Sequence, residues 1–172
     1  MYFQKFPKID YDVKGNGNIT QMTNIIKRVR FRNLTTSRLV NFDVYDVRDG
    51  ETPEMIAHRY YEESEYHWLI LLANDIQDYY MEWPMSVPKL EEFIASKYDD
   101  VNGIHHYTIK QESGDTTVDI EISNNVGYPL AFPVTNYQYE AALNEERRRI
   151  KLIQPQYIER VVKEFERKIT EG

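Results

Sequence analysis

The chain has 172 residues, 41% of them hydrophobic and 28% charged, with a formal net charge of −7 and no cysteine. A chain of this length forms one domain with a real core, or two small units sharing one, and buries roughly 70% of its unfolded surface. Disulfides, thiolate zinc sites and a cysteine nucleophile are excluded, and the sequence holds neither an apolar run of signal-peptide length nor about 18 consecutive apolar residues. It is therefore read as made and kept in a cytoplasm, unless it leaves as part of a larger particle.

The charge is unevenly spread: residues 1–40 carry eight Lys/Arg against two acids, residues 41–103 four against fifteen, and residues 104–172 nine against eleven. The basic cluster around Lys27, Arg28, Arg30 and Arg32 has the density that neutralises phosphates. The acidic middle makes a protein surface, in the same chain or in a partner, the better counterpart, and no nucleic acid is expected as a partner.

In chain order, residues 1–42 read as an arm with elements but no core of its own. Ile9–Val13 alternates apolar and polar like a strand, Gly15–Asn18 is a turn, and a short helix is predicted from about Thr20 to Val29. Residues 43–100 read as a compact module. Val44 and Val47 belong to a β-favouring run, Asp49–Gly50 is a turn, and Thr52–Pro53 supplies an N-cap hydroxyl and a preset φ for a first helix. Ser64 is a cap candidate for a second helix, in which Trp68, Leu69, Leu72 and Ala73 share an apolar face.

This pattern, a strand ending in Tyr45-Asp46-Val47, a Gly50-Glu51-Thr52 turn, Ile56-Ala57 in the first helix and Asn74-Asp75-Ile76 closing the second, resembles the LysM module. Where that module has a short second strand, this sequence has Tyr79–Pro84. Pro88 then opens a helix whose Leu90, Phe93, Ile94 and Lys97 share a face and seal the module.

Residues 101–134 read as a β-hairpin and a connecting loop. Tyr107 and Ile109 alternate with His106, Thr108 and Lys110, a turn falls at Glu112–Asp115, and Val118, Ile120 and Ile122 return with the same period. Ser123–Pro133 is turn-rich and reads first as a connector, with a contact surface as the second reading. In residues 135–172, Thr135–Gln138 fits a capping box before a helix that runs to Arg148. Ile150–Ile153 is a brief extended link, and Pro155 opens a last helix with a stripe of Tyr157, Ile158, Val161, Val162, Phe165 and Ile169. A stripe that wide must be buried, on its own domain or in part against another chain.

Catalytic constellations are missing. The four histidines, His58, His67, His105 and His106, form no His-Glu-x-x-His pair and read as surface residues. No nucleophile elbow, phosphate loop or dinucleotide turn is present. Carboxylates such as Glu51, Glu54, Glu62, Glu63 and Glu65 read as solvated helix faces rather than a glycosidase pair. Asp99, Asp100, Asn102 and Gly103 lack the spacing of an EF-hand loop. No enzyme activity, cofactor, metal, membrane or small-molecule substrate is expected. Fourteen tyrosines, with pairs at Tyr60-Tyr61 and Tyr79-Tyr80, point to protein contacts instead.

The whole chain resembles a known family. The Phe6-Pro7-Lys8-Ile9 arm with Arg30-Phe31-Arg32-Asn33 is followed by the LysM-like turn, Tyr60-Tyr61, His67–Asn74 and Asp78–Pro84. A C-terminal Asn144-Glu145 and Arg149–Ile153 complete the pattern. Together these resemble the LysM-containing baseplate wedge proteins of T4-like contractile-tailed bacteriophages. The resemblance implies an α+β fold in which a LysM-like βααβ module carries an N-terminal basic arm, a β-hairpin insertion and C-terminal helices.

It also implies a structural subunit of the virion tail baseplate, synthesised in the host bacterial cytoplasm. Its partners would be other wedge proteins, of two neighbouring wedges, which it helps join into the ring around the central hub. The protein-contact candidates are Arg28, Arg30, Arg32, Tyr60, Tyr61, Tyr79, Tyr80, Trp83, Tyr157 and Phe165. The alternative is a tail protein that binds peptidoglycan or N-acetylglucosamine polymers through a LysM groove lined by Asp49, Gly50, Glu51, Thr52, Asn74, Asp75 and Ile76.

Overall fold

A computed structural model describes residues 5–31, 39–110 and 119–171. Arg32, the Glu112–Asp115 turn and Val118 lie outside the described residues. The chain divides into two compact units, one within Met1–Val47, Glu51–Trp83 and Arg149–Gly172, the other within Arg48–Gly50 and Pro84–Arg148.

The first unit is built on a pair of antiparallel strands far apart in sequence. Strand β3 (Phe42–Asp46) pairs with a strand at Arg149–Ile153, with Phe42 opposite Ile153 and Asp46 opposite Arg149. The expected link at Ile150–Ile153 is thus a strand. Ile150, Leu152 and Ile153 turn into the core while Lys151 stays exposed, so the alternation that defines the strand is present but only five residues long. Tyr79–Pro84 does not supply a strand beside β3; Tyr79–Glu82 is a single helical turn capped by the Asp78 carboxylate, which accepts from Tyr80 N–H at 2.9 Å.

Helix α1 (Pro53–Tyr61) starts as its sequence requires, with Pro53 in the first turn and Thr52 Oγ1 accepting from Met55 N–H at 3.4 Å. Ser64 does not cap the next helix: it begins a 3-10 turn (Ser64–Tyr66) capped by Glu63, which runs into α2 (His67–Ala73). The core joins Val47, Ile56, Ala57, Trp68, Leu69, Ile70, Ile150, Leu152 and Ile153 with the C-terminal helix Ile158–Glu171. That helix buries Ile158, Val161, Phe165 and Ile169 in its own unit, with the Phe165 ring centroid 4.7 Å from Trp68. The wide apolar stripe therefore finds its cover within the chain.

The arm is tied to this unit at a few points. Phe6 is buried against Phe165 with ring centroids 6.3 Å apart, Lys5 pairs with Glu166, and Val29 and Phe31 pack on the core. Between these anchors β1 (Lys8–Tyr11) and β2 (Thr20–Thr23) form an antiparallel hairpin whose residues are all exposed. The helix expected from Thr20 to Val29 is replaced at its start by β2, because Thr20-Gln21-Met22-Thr23 pairs with the preceding strand across the Gly15–Asn18 turn. Asp12 closes that turn by accepting from the N–H groups of Lys14 and Gly17 at 3.1 and 2.6 Å.

The second unit packs α4 (Val87–Lys97) and α5 (Asn136–Arg148) with a three-stranded sheet in the order β5-β4-β6, where β4 is Ile104–Lys110, β5 Asp119–Ile122 and β6 Phe132–Thr135. The hairpin register matches the sequence pattern, with Tyr107 opposite Ile122 and Ile109 opposite Ile120. The Ser123–Pro133 stretch is not all loop, since Phe132 and Pro133 open β6 and pair with Thr108 and Tyr107. Proline is tolerated there because β6 is an edge strand. Thr135 and Gln138 form the capping box reciprocally: Thr135 N–H donates to Gln138 Oε1 at 2.9 Å, and Gln138 N–H to Thr135 Oγ1 at 3.2 Å. Numbered in chain order, the short helix Tyr79–Glu82 is α3, the strand Arg149–Ile153 is β7 and the last helix is α6.

Candidate functional site

The contact candidates fall into two groups. Phe165 and Trp83 are core residues, and Tyr61 is buried beside them. Trp83 Nε1–H donates to the Glu51 backbone carbonyl at 2.9 Å, so this indole is spent on holding α3 to the start of α1. Tyr80 is exposed, Tyr60, Tyr79 and Tyr157 are half-buried, and Arg28 and Arg30 are exposed. Arg28 Nη1 donates to Gln77 Oε1 at 3.2 Å, an amide neighbour rather than a carboxylate.

The tyrosines form edge-to-face pairs, Tyr60 with Tyr61 at 5.0 Å and Tyr61 with Tyr66 at 6.2 Å between centroids. Burial, followed by a hydrogen bond to the Asp43 carboxylate, pushes the Tyr60 phenol up to about 12. Burial likewise raises the Tyr61 phenol above its ordinary range. Asp43 is held below the usual carboxylate range by hydrogen bonds from Gln154 and Tyr60. These groups keep fixed protonation through neutral pH and make rigid amphipathic surface, with no proton donor or acceptor poised near pH 7.

Several groove candidates are engaged inside their units. Glu51 has a buried carboxylate that accepts from Tyr45 Oη at 2.8 Å and pairs with Arg59. That carboxylate also raises the Arg59 guanidinium above its ordinary value. Thr52 caps α1. Asp49 Oδ1 accepts from Val87 N–H at 2.9 Å at the start of α4. Asn74 donates to the carbonyls of Ile70 and Lys151 at 2.8 and 2.9 Å and accepts from Lys151 N–H at 2.8 Å. Gly50 sits at φ +70°, the left-handed turn its residue type allows; Asp75 adopts φ +55° and is exposed, and Ile76 packs against the core. Asp100, noted among the loop acids, accepts from Asn102 N–H at 2.9 Å and closes a turn.

Sequence reasoning missed two features. Exposed apolar side chains cluster on segments without a core: Ile19, Ile25 and Ile26 on the arm, at 64–83% exposure, and Val126, Leu130 and Phe132 after β5, at 61–86%. The loop composition signalled the second group first as a connector and only second as a contact surface. The other feature is the meeting of His105, His106 and Glu121, whose ligand atoms all lie within 4.8 Å of one another. Neighbouring strand residues are expected on opposite faces, which hid the histidine pair. Among the described residues no helix is long and apolar enough to cross a membrane.

Comparison with known proteins bears on these surfaces. The sequence model of the family described as base plate wedge protein 53 matches residues 1–126. The baseplate wedge protein gp53 of Enterobacteria phage T4 is 25% identical over 174 residues, a match that covers 89% of this chain and 88% of that protein.

Proposed function

Because the chain belongs to the base plate wedge protein 53 family, whose place is the phage tail baseplate, we propose that it acts as a structural clamp that binds other wedge proteins. In this reading it joins two neighbouring wedges into the ring around the hub. The observation that carries the proposal is the exposed apolar surface on two separate segments, Ile19, Ile25 and Ile26 on the arm and Val126, Leu130 and Phe132 in the loop after β5 and at the start of β6. Large exposed apolar patches mark interaction sites. Two segments of this kind favour several moderate contacts over one dominant interface, which suits a ring that must hold and then rearrange.

Arg28, Arg30 and Arg32 would steer the arm onto an acidic partner surface. Tyr80 and the half-buried Tyr60, Tyr79 and Tyr157 are the aromatic contacts we retain; Trp83, Tyr61 and Phe165 act by holding the fold that presents them. The functional segments are the arm (1–42), the module (43–100), the hairpin and loop (101–134) and the C-terminal helices (135–172). A LysM-like reading of the module is supported by the antiparallel pairing of β3 with β7 and by α1 and α2 following β3, the closing strand coming from Arg149–Ile153 instead of from Tyr79–Pro84. Its glycan-binding use has less support, since Glu51, Thr52 and Asn74 already spend their polar atoms within the unit.

The test is size-exclusion chromatography with light scattering on the purified chain, alone and mixed with the other wedge proteins, with a chitooligosaccharide titration on the same sample. Co-elution with assembled wedges and indifference to sugar is the expected result. Micromolar sugar binding without wedge association would replace this reading with the glycan one.

A further inference from the structure

We infer that His105, His106 and Glu121 form a binding site for a divalent transition-metal ion of the zinc class. The site depends on an irregularity in β4. Ile104 lies opposite Thr135 while His106 lies opposite Val134, so β4 carries one residue more than its partner between these pairs, and the extra residue is His105. Such a bulge re-aims a side chain that a regular strand would send to the other face. The two imidazoles therefore meet, with Nδ1 of His105 2.8 Å from Nδ1 of His106.

The third ligand comes from the neighbouring strand. Glu121 lies opposite Thr108, two residues beyond His106 on the same face of β4, and its Oε1 stands 3.9 Å from His106 Nδ1. The His105 ring is held by stacking on Tyr139, centroids 3.9 Å apart and planes 11° apart, while His106 meets the same ring edge-on at 5.8 Å. Both imidazoles are thus oriented by α5, as metal-ligating histidines need to be.

The ligand chemistry selects the ion. Two imidazole nitrogens and one carboxylate suit Zn²⁺ and its first-row neighbours, whereas Ca²⁺ and Mg²⁺ take oxygen shells. Bonds of about 2.0–2.2 Å in a tetrahedral site place ligand atoms about 3.3 Å apart. The Nδ1 pair has to open by about 0.5 Å, and Glu121 to close by about 0.6 Å on His106 and by at most about 1.5 Å on His105, whose ligand atom lies within 4.8 Å of it, movements within reach of side-chain rotations. Glu121 is free to make that movement because its side chain is 64% exposed, while His106 is fixed at 11%. A water completes the tetrahedron. The ion would staple β5 to the bulge of β4, just ahead of the exposed loop that carries Val126 and Leu130.

The experiment uses the untagged full chain after chelator treatment, titrated with Zn²⁺ by calorimetry and with Co²⁺ by visible absorption, alongside His105→Ala, His106→Ala, Glu121→Gln and the control His58→Ala/His67→Ala. Expected are one ion per chain, a tetrahedral cobalt spectrum, at least tenfold weaker binding in each site variant, and wild-type binding in the control. His106→Gln is the second variant if His106→Ala fails to fold by circular dichroism. No binding by the wild type, or site variants that bind as tightly as it does, would overturn the site.

Discussion

Asn74 and Lys151, 77 positions apart, exchange two backbone-like hydrogen bonds: Asn74 Nδ2 donates to the Lys151 carbonyl at 2.9 Å, and Lys151 N–H donates to Asn74 Oδ1 at 2.8 Å. The side-chain amide thus serves as one more peptide on β7, on the edge that β3 does not cover. Since Asn74 Nδ2 also donates to Ile70, one side chain ties the end of α2 to the sheet. Asn74→Ala leaves a peptide N–H and a carbonyl at this edge with water as the only replacement, and a loss of about 2–3 kcal/mol is expected. Urea denaturation measures it; a loss under about 0.5 kcal/mol, the size of an ordinary surface change, would mean that the clasp carries little.

Trp83 makes a second tie of the same kind, through Nε1–H to the Glu51 carbonyl inside the first unit. Trp83→Phe keeps most of the apolar volume and removes the donor, so about 1–2 kcal/mol should be lost, and Trp83→Ala about 3–5 kcal/mol through the cavity. A Trp83→Phe variant as stable as wild type, with the loss confined to Trp83→Ala, would assign Trp83 a packing role alone.

These ties explain what was legible in the sequence. Local signals were read well: Thr52-Pro53 before α1, the Thr135–Gln138 capping box, and the period-two match of Tyr107 and Ile109 with Ile120 and Ile122. Pairings set by distant residues were not. Arg149–Ile153 carries only five residues of pattern between two helices, and its partner β3 begins more than a hundred positions earlier, so nothing local distinguishes a strand from a link. Thr20–Thr23 has one apolar residue and becomes β2 only because Lys8–Tyr11 lies across the turn from it. The site was legible as composition, through the basic arm and the tyrosines, while the division into buried Trp83, Tyr61 and Phe165 and exposed Tyr80 depended on the core. The meeting of His105 with His106 depended on a bulge that no periodicity announces.

In the second unit Glu140, with a side chain 4% exposed, accepts from Lys97 Nζ at 2.6 Å and from Tyr98 Oη at 2.8 Å. Burial pushes its carboxyl up, but the Lys97 and Tyr98 hydrogen bonds outweigh this and hold it below its ordinary 4.5. A carboxyl depressed in the folded state takes up its proton more readily when unfolded. Its contribution is therefore complete above pH 4.5 and drains away as the pH falls below that value. Lys97, raised above its ordinary 10.5 first by the hydrogen bond to Glu140, contributes fully below pH 10.5 and loses its share as the pH climbs further. Stability measured by denaturant should decline in acid more steeply for the wild type than for Glu140→Gln. Identical acid slopes would show that Glu140 is not the group responsible.

Phe165 and Leu130 separate stability from contact. Phe165 is fully buried between Trp68 and Phe6, and Phe165→Ala should cost about 3–5 kcal/mol, a third or more of an ordinary chain's stability, so a loss of wedge joining in that variant reports on the fold before it reports on a contact. Leu130 is 86% exposed and Val126 81%, so changing both to Ser should leave the unfolding free energy within about 0.5 kcal/mol of wild type. If the loop is a clamp surface, the same double variant, folded by circular dichroism, should associate with wedge proteins at least tenfold more weakly. Arg30→Glu should instead slow association and flatten its dependence on salt, as expected for a steering charge on the arm. A folded Val126→Ser/Leu130→Ser chain that joins wedges normally would exclude the loop, and normal association by Arg30→Glu at low salt would exclude Arg30 as a steering charge.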